Sequence, residues 1–99
     1  MTIKEMQKVY KKINKAMDDM QKAADAFALC IADFDKRAEH AKAYVKAHRV
    51  LDKIGEAMNV NTLALANKCI SEESFVYWCL MNKIEYKTDD QNEEEEANA

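Results

Sequence analysis

From Ile3 to Val45, apolar residues recur at alternating spacings of three and four, with no glycine or proline among them: Ile3, Met6, Tyr10, Ile13, Met17, Met20, Ala24, Phe27, Ile31, Phe34, Ala38, Ala41 and Val45. This is the a/d pattern of a helix that buries one stripe along its length. No other feature constrains the chain as strongly, because a strand repeats its side chains every two residues and cannot present such a stripe. The chain has one glycine, Gly55, and no proline. Turns that need a positive or a fixed φ are therefore scarce, which argues against β architectures. The expected fold class is all-α: a long N-terminal helix with coiled-coil-like heptads, two shorter C-terminal helices packing on it, and a disordered acidic tail. With 99 residues the chain is one domain by length. The helical domain is expected over residues 1–86 and the tail over 87–99.

Beyond Ala41 the apolar positions shift phase to Tyr44, Ala47, Leu51, Ile54 and Met58. Either one helix runs from Thr2 to Met58, or the chain turns near Asp33–Arg37 and folds back. The lack of a turn residue near Asp33 favours the continuous form. Such a helix would be about 85 Å long at 1.5 Å per residue, more than so short a chain can cover. Self-association as a homodimer or higher homo-oligomer follows, with Ile3, Met6, Tyr10, Ile13, Met17, Met20, Phe27, Ile31 and Phe34 as the seam. Methionine is adaptable at interfaces, so this seam could also re-pack on a protein partner.

Asn59-Val60-Asn61-Thr62 is the first clear break, and a short helix follows at about Leu63–Cys69. Ser71 is the next N-cap, with Glu72 and Glu73 where a helix dipole favours acids. An aromatic helix is expected from there to about Tyr86. Its bulky residues Phe75, Trp78, Cys79, Met81 and Ile84 suit a slim, alanine-rich surface, and the stretch AADAFALCIADF at 23–34 supplies one. Docking of SFVYWCLM on that stretch, within one chain or across a dimer, would clasp the fold by large-against-small packing.

The formal net charge is −3 and is unevenly spread, basic at the start and acidic at the end. Lys4, Lys8, Lys11, Lys15 and Lys22 lie opposite the apolar seam. They form either a strip for phosphates or an acidic surface, or the solvated exterior of a coiled coil. No arginine or aromatic interleaves with them for base stacking, which favours the second. In the tail KTDDQNEEEEANA, the run Glu93, Glu94, Glu95 and Glu96 could imitate phosphates or only aid solubility. The lysine strip and this run are the candidate partner-binding residues.

Residues 50–70, VLDKIGEAMNVNTLALANKCI, resemble a helix-turn-helix unit. Ile54, Met58, Val60 and Leu65 fall where that motif packs its helices, and Gly55 is small where close contact needs it. As a DNA reader the unit is poor: Asn61, Thr62, Asn67 and Lys68 are its only polar contacts, and its surroundings are net negative, the wrong sign for a phosphate backbone.

Catalytic and metal-binding patterns are missing. His40 and His48 are too far apart to hold one metal without other ligands, and there is no HExxH or Cys/His cluster. No nucleophile elbow, P-loop or glycine-rich cradle exists. Three cysteines without CxxC spacing behave as small hydrophobes in a reducing compartment. No apolar run is long enough to span a membrane, and no signal peptide is expected at the N-terminus. A cytoplasmic, non-enzymatic interaction protein without cofactors is therefore expected. By analogy it suits a small regulator or inhibitor that occludes a partner's site, as phage-encoded antagonists of host enzymes do. The alternatives are a dimeric helix-turn-helix transcription regulator and a helical oligomer that sequesters a small ligand.

Overall fold

The computed structural model describes residues 1–68 and 70–87. They form four helices: α1 (Ile3–Leu29), α2 (Phe34–Met58), α3 (Thr62–Lys68) and α4 (Glu72–Met81). There is no strand among the described residues, and the fold is all-α. Of the expected disordered tail, residues 88–99 lie outside the described residues.

The long apolar stripe is divided between two helices. The chain folds back at residues 30–33, so the continuous helix expected from the sequence is corrected to an α1–α2 hairpin. A single carboxylate explains the break without any glycine or proline. Asp33 leaves the helical conformation, and its side chain accepts from the Lys36 N–H at 3.1 Å. Aspartate is a strong N-cap, and its position starts a new helix. On the other side of the turn, Cys30 N–H donates to the Phe27 carbonyl at 3.3 Å. The two helices run antiparallel: Phe27 lies under the Arg37 guanidinium, 4.9 Å from the ring centroid, while Met17 and Leu51 line one cleft further along.

At its start α1 is closed by a capping box. Thr2 accepts from the Glu5 N–H at 3.1 Å, and the Glu5 carboxylate accepts from Thr2 N–H at 3.4 Å. Asn59 ends α2 in the left-handed region (φ 56°). Its N–H donates to the Glu56 carbonyl and that of Val60 to the Gly55 carbonyl, the paired closing bonds of a Schellman motif. Gly55 permits this tight return. A Cβ there would stand 3.0 Å from the Val60 carbonyl oxygen and 3.3 Å from Thr62 Oγ1. Asn61 then accepts from the Leu63 N–H at 2.7 Å as α3 begins.

Ser71 and Ser74 cap α4 reciprocally. The helix stops at Met81, five residues short of the expected end. Lys83 takes a positive φ of 51° and Ile84 N–H donates to the Cys79 carbonyl at 2.9 Å, which turns Ile84 and Tyr86 back onto the core. Next to them the Met1 ammonium meets Glu85 at 3.1 Å.

The core joins Met6, Val9, Ile13 and Ala16 of α1, Leu51, Ile54 and Met58 of α2, Leu65 of α3, and Phe75, Val76 and Cys79 of α4. Tyr10 and Phe75 pack with ring centroids 5.8 Å apart, and Phe75 and Trp78 at 6.0 Å. Phe75 and Cys79 are buried in this core, and Trp78 and Ile84 pack against it half-buried. Met81 is corrected: it is 83 % exposed. The docking site is corrected as well, because α4 sits on the first half of α1 and not on residues 23–34. Antiparallel packing returns the end of α2 to the beginning of α1, so the apolar surface that α4 meets first is the stripe of Met6, Val9 and Ile13. The alanine-rich stretch lies toward the far end of a helix about 40 Å long at 1.5 Å per residue.

Candidate functional site

Because α3 and α4 cover only one end of the hairpin, the other end is, among the described residues, a bare pair of helices. Exposed apolar residues lie at both ends of the molecule: Leu63, Ile70 and Met81 stand out around α3 and α4, and a second group sits at the hairpin end. Leu29 is 85 % exposed, and Ile31 and Phe34 are each 79 % exposed. Phe34, Ala38, Ala41 and Val45 follow one another at helical spacing along α2, and Val45 is 47 % exposed. Beside this row is a groove of about 300 Å³ between the helices, bordered by Phe27, Tyr44 and Val45 and floored in part by Ala24 and Ala41. Small side chains at facing positions leave this groove open, while the turn projects large ones next to it. Knob and hole therefore stand side by side.

The expected seam is split by this arrangement. Met6 and Ile13 are buried, and Tyr10, Met17 and Met20 are half-buried, within the chain itself. Ile3 is exposed beside the capping box, and Phe27, Ile31 and Phe34 are exposed at the hairpin end.

All five residues of the lysine strip, Lys4, Lys8, Lys11, Lys15 and Lys22, are exposed on α1. Two of them pair one turn along their own helix: Lys15 with Asp19 at 3.5 Å and Lys22 with Asp18 at 3.1 Å. The Asp18 hydrogen bond and charge push the Lys22 ammonium above its ordinary pKa. A second basic row, Lys42, Lys46 and Arg49, lies exposed on α2. It was legible as an i, i+4, i+7 spacing but is overshadowed in the sequence by the longer strip. Glu93, Glu94, Glu95 and Glu96 lie outside the described residues.

A cleft of about 610 Å³ opens where α3 meets the hairpin, between Met17 and Met20 on one side and Leu51 and Leu63 on the other. Its polar edge is a small network. His48 Nδ1 lies 3.0 Å from Asp52 Oδ2, and Thr62 Oγ1 donates to Asp52 Oδ1 at 3.1 Å. Tyr44 stacks on His48 at 6.3 Å. Asp52 thus ties α2 to the first residue of α3. His40 is apart from this network, at the hairpin groove.

Among the described residues no three His, Cys, Asp or Glu side chains are placed to hold a metal ion. No helix there is long and apolar enough to cross a membrane. Cys30 is half-buried near the turn and Cys79 is buried, neither in a disulfide. Comparison with known proteins finds no matching family model, curated protein or solved structure.

Proposed function

We propose that this chain is a non-enzymatic helical interaction protein of the cytoplasm. It self-associates and binds another macromolecule, acting as a small regulator or inhibitor that covers its partner's site, in the manner of a phage-type antagonist. One observation carries the reading: the hairpin end presents Leu29, Ile31, Phe34 and Val45 to solvent. Monomeric proteins rarely expose large apolar patches unless they bind something. The experiment is photo-crosslinking in native cell lysate from a probe residue at Phe34, with a probe at Lys4 on the lysine strip as comparison. The reading expects a discrete protein adduct from Phe34. No adduct from either probe would remove it, and an adduct from Lys4 alone would move the binding face to the strip.

The cleft beside His48 supports a second reading, sequestration of a small ligand. Its walls are mainly apolar with a few convergent polar groups, the usual make-up of a ligand site. A rise in melting temperature with one member of a nucleotide panel would support it, since a ligand that binds only the folded state stabilises it. DNA recognition is the weakest of the three. The unit at 50–70 folds as the end of α2, the Asn59 turn and α3, but α3 has only seven residues. It turns Leu63 outward and is followed by the acidic first turn of α4. Retardation in a gel shift at low salt would revive it.

A further inference from the structure

We infer that the occupant of the hairpin end is a second copy of this chain, the two hairpins packing about a two-fold axis to complete a four-helix bundle. The inference rests on reading that surface as an interaction site and names what covers it at rest.

Three observations point to a copy instead of a foreign chain. The first is how the stripe is used. Where α4 lies on α1, the stripe is consumed inside the molecule; past the reach of α4 it continues through Phe27, Phe34, Ala38, Ala41 and Val45 with no described element to cover it. A pair of helices buries only one seam between its members, and a second pair laid across it supplies the missing layer. The second observation is shape. A two-fold interface uses the same patch twice, so the patch must carry both a projection and its receptacle. Here Leu29, Ile31 and Phe34 project from the turn, and the alanine-floored groove of about 300 Å³ lies next to them on the same hairpin end. The third is charge. Residues 22–42 carry four basic and four acidic side chains. A balanced rim meets its own copy without net repulsion and offers no attraction to a strongly charged partner.

The size also fits. At the exposures given, the large apolar side chains of this end present roughly 700 Å² of surface, taking full side-chain areas on the order of 150–250 Å² for the aromatics and somewhat less for the aliphatics. A standard interface buries about 800 Å² on each partner.

Sedimentation equilibrium of the full chain over a wide concentration range tests the inference. The expected species has twice the chain mass of 11.4 kDa. Val45→Glu and Ile31→Glu each place a charge in the interface and should weaken association roughly thirty-fold or more, the effect of losing a central contact. Leu80→Glu changes an exposed apolar residue on α4, away from this end, and should leave the mass unchanged. Val45 and Ile31 are exposed, and Ile31 lies between the helices, so both variants should retain helicity by circular dichroism. A mass of 11.4 kDa at all concentrations up to about millimolar, where even weak specific pairs associate, overturns the inference. So does a dimer that survives both charge insertions, or one that Leu80→Glu disrupts equally. A monomer whose Phe34 probe still captures a partner removes the dimer and leaves the interaction reading in place. A monomer that captures nothing removes both.

Discussion

Cys79 and Cys30 have the same side chain in opposite settings. Cys79 has no exposed surface in the core, and burial pushes its thiol up from the ordinary value of 9.0 to about 11. In the unfolded chain that proton leaves near pH 9. Between about pH 9 and 11 unfolding therefore releases a proton, and stability falls as pH rises. Below pH 9 the contribution is fully present. The loss across that window should be roughly 2–3 kcal/mol, seen as a drop in the urea midpoint between pH 8.5 and 11 that Cys79→Ala does not share. At neutral pH, alkylation should label Cys30 well before Cys79. Asp33 is equally testable. Asp33→Ala removes the side-chain acceptor that starts α2 and should cost roughly 0.5–2 kcal/mol, the usual value of an N-cap, with Asp33→Asn retaining most of it. Gly55→Ala should destabilise by about 1 kcal/mol. Overpacking against the Val60 carbonyl outweighs the gain in helix propensity of about 1 kcal/mol, and a higher thermal midpoint in the variant would contradict this. The cap at Ser71 was legible in the sequence, because a hydroxyl before a helical pattern has a fixed use. Asp33 was not, because aspartate is also an ordinary solvated residue inside helices. Only the consequence of its cap, a reversal of direction, distinguishes the two roles.

At the scale of helices, the aromatic segment divides into a buried and an open face. Phe75 is fully buried against Tyr10 and the α1 stripe, whereas Trp78 is only half-buried. Phe75→Ala should therefore cost roughly 3–5 kcal/mol, as for other fully buried aromatics, and Trp78→Ala distinctly less. Denaturant unfolding of the two variants ranks them, and the reverse order would mean that the clasp is centred elsewhere. On the open face Tyr77 hydrogen-bonds the carboxylate of Glu73, whose charge also raises the phenol above its ordinary pKa. The existence of α4 and its main anchors was readable from the cluster of large side chains. Its docking site was not. Size complementarity pointed to the alanines at 23–34, but a helix lands first on the apolar surface nearest the point where the chain delivers it. That point is set by the reversal at residues 30–33, so one misplaced turn moved the whole clasp.

For the molecule as a whole, packing is uneven along the hairpin. One end is closed by four helices and by contacts of Met1 and Lys87, the latter's N–H donating to the Ala57 carbonyl at 2.6 Å. Among the described residues the other end has two helices alone. Local stability follows the density of buried apolar contacts, so in dilute solution amide exchange should be fastest over residues 24–40 and slowest around Ile13 and Ile54. Uniform protection along the hairpin of an isolated chain would show that the bare end is stabilised by something other than a partner. The stripe in the sequence announced how much apolar surface the hairpin carries. It could not announce how that surface is shared between inside and outside, since both halves have the same period. The pairing of Met1 with Glu85 also fixes a practical geometry. Residue 1 lies at the closed pole, about 40 Å from the turn by the length of α1. A tag, a surface tether or a fused domain joined there would stand behind the body of the molecule and leave the apolar tip facing forward.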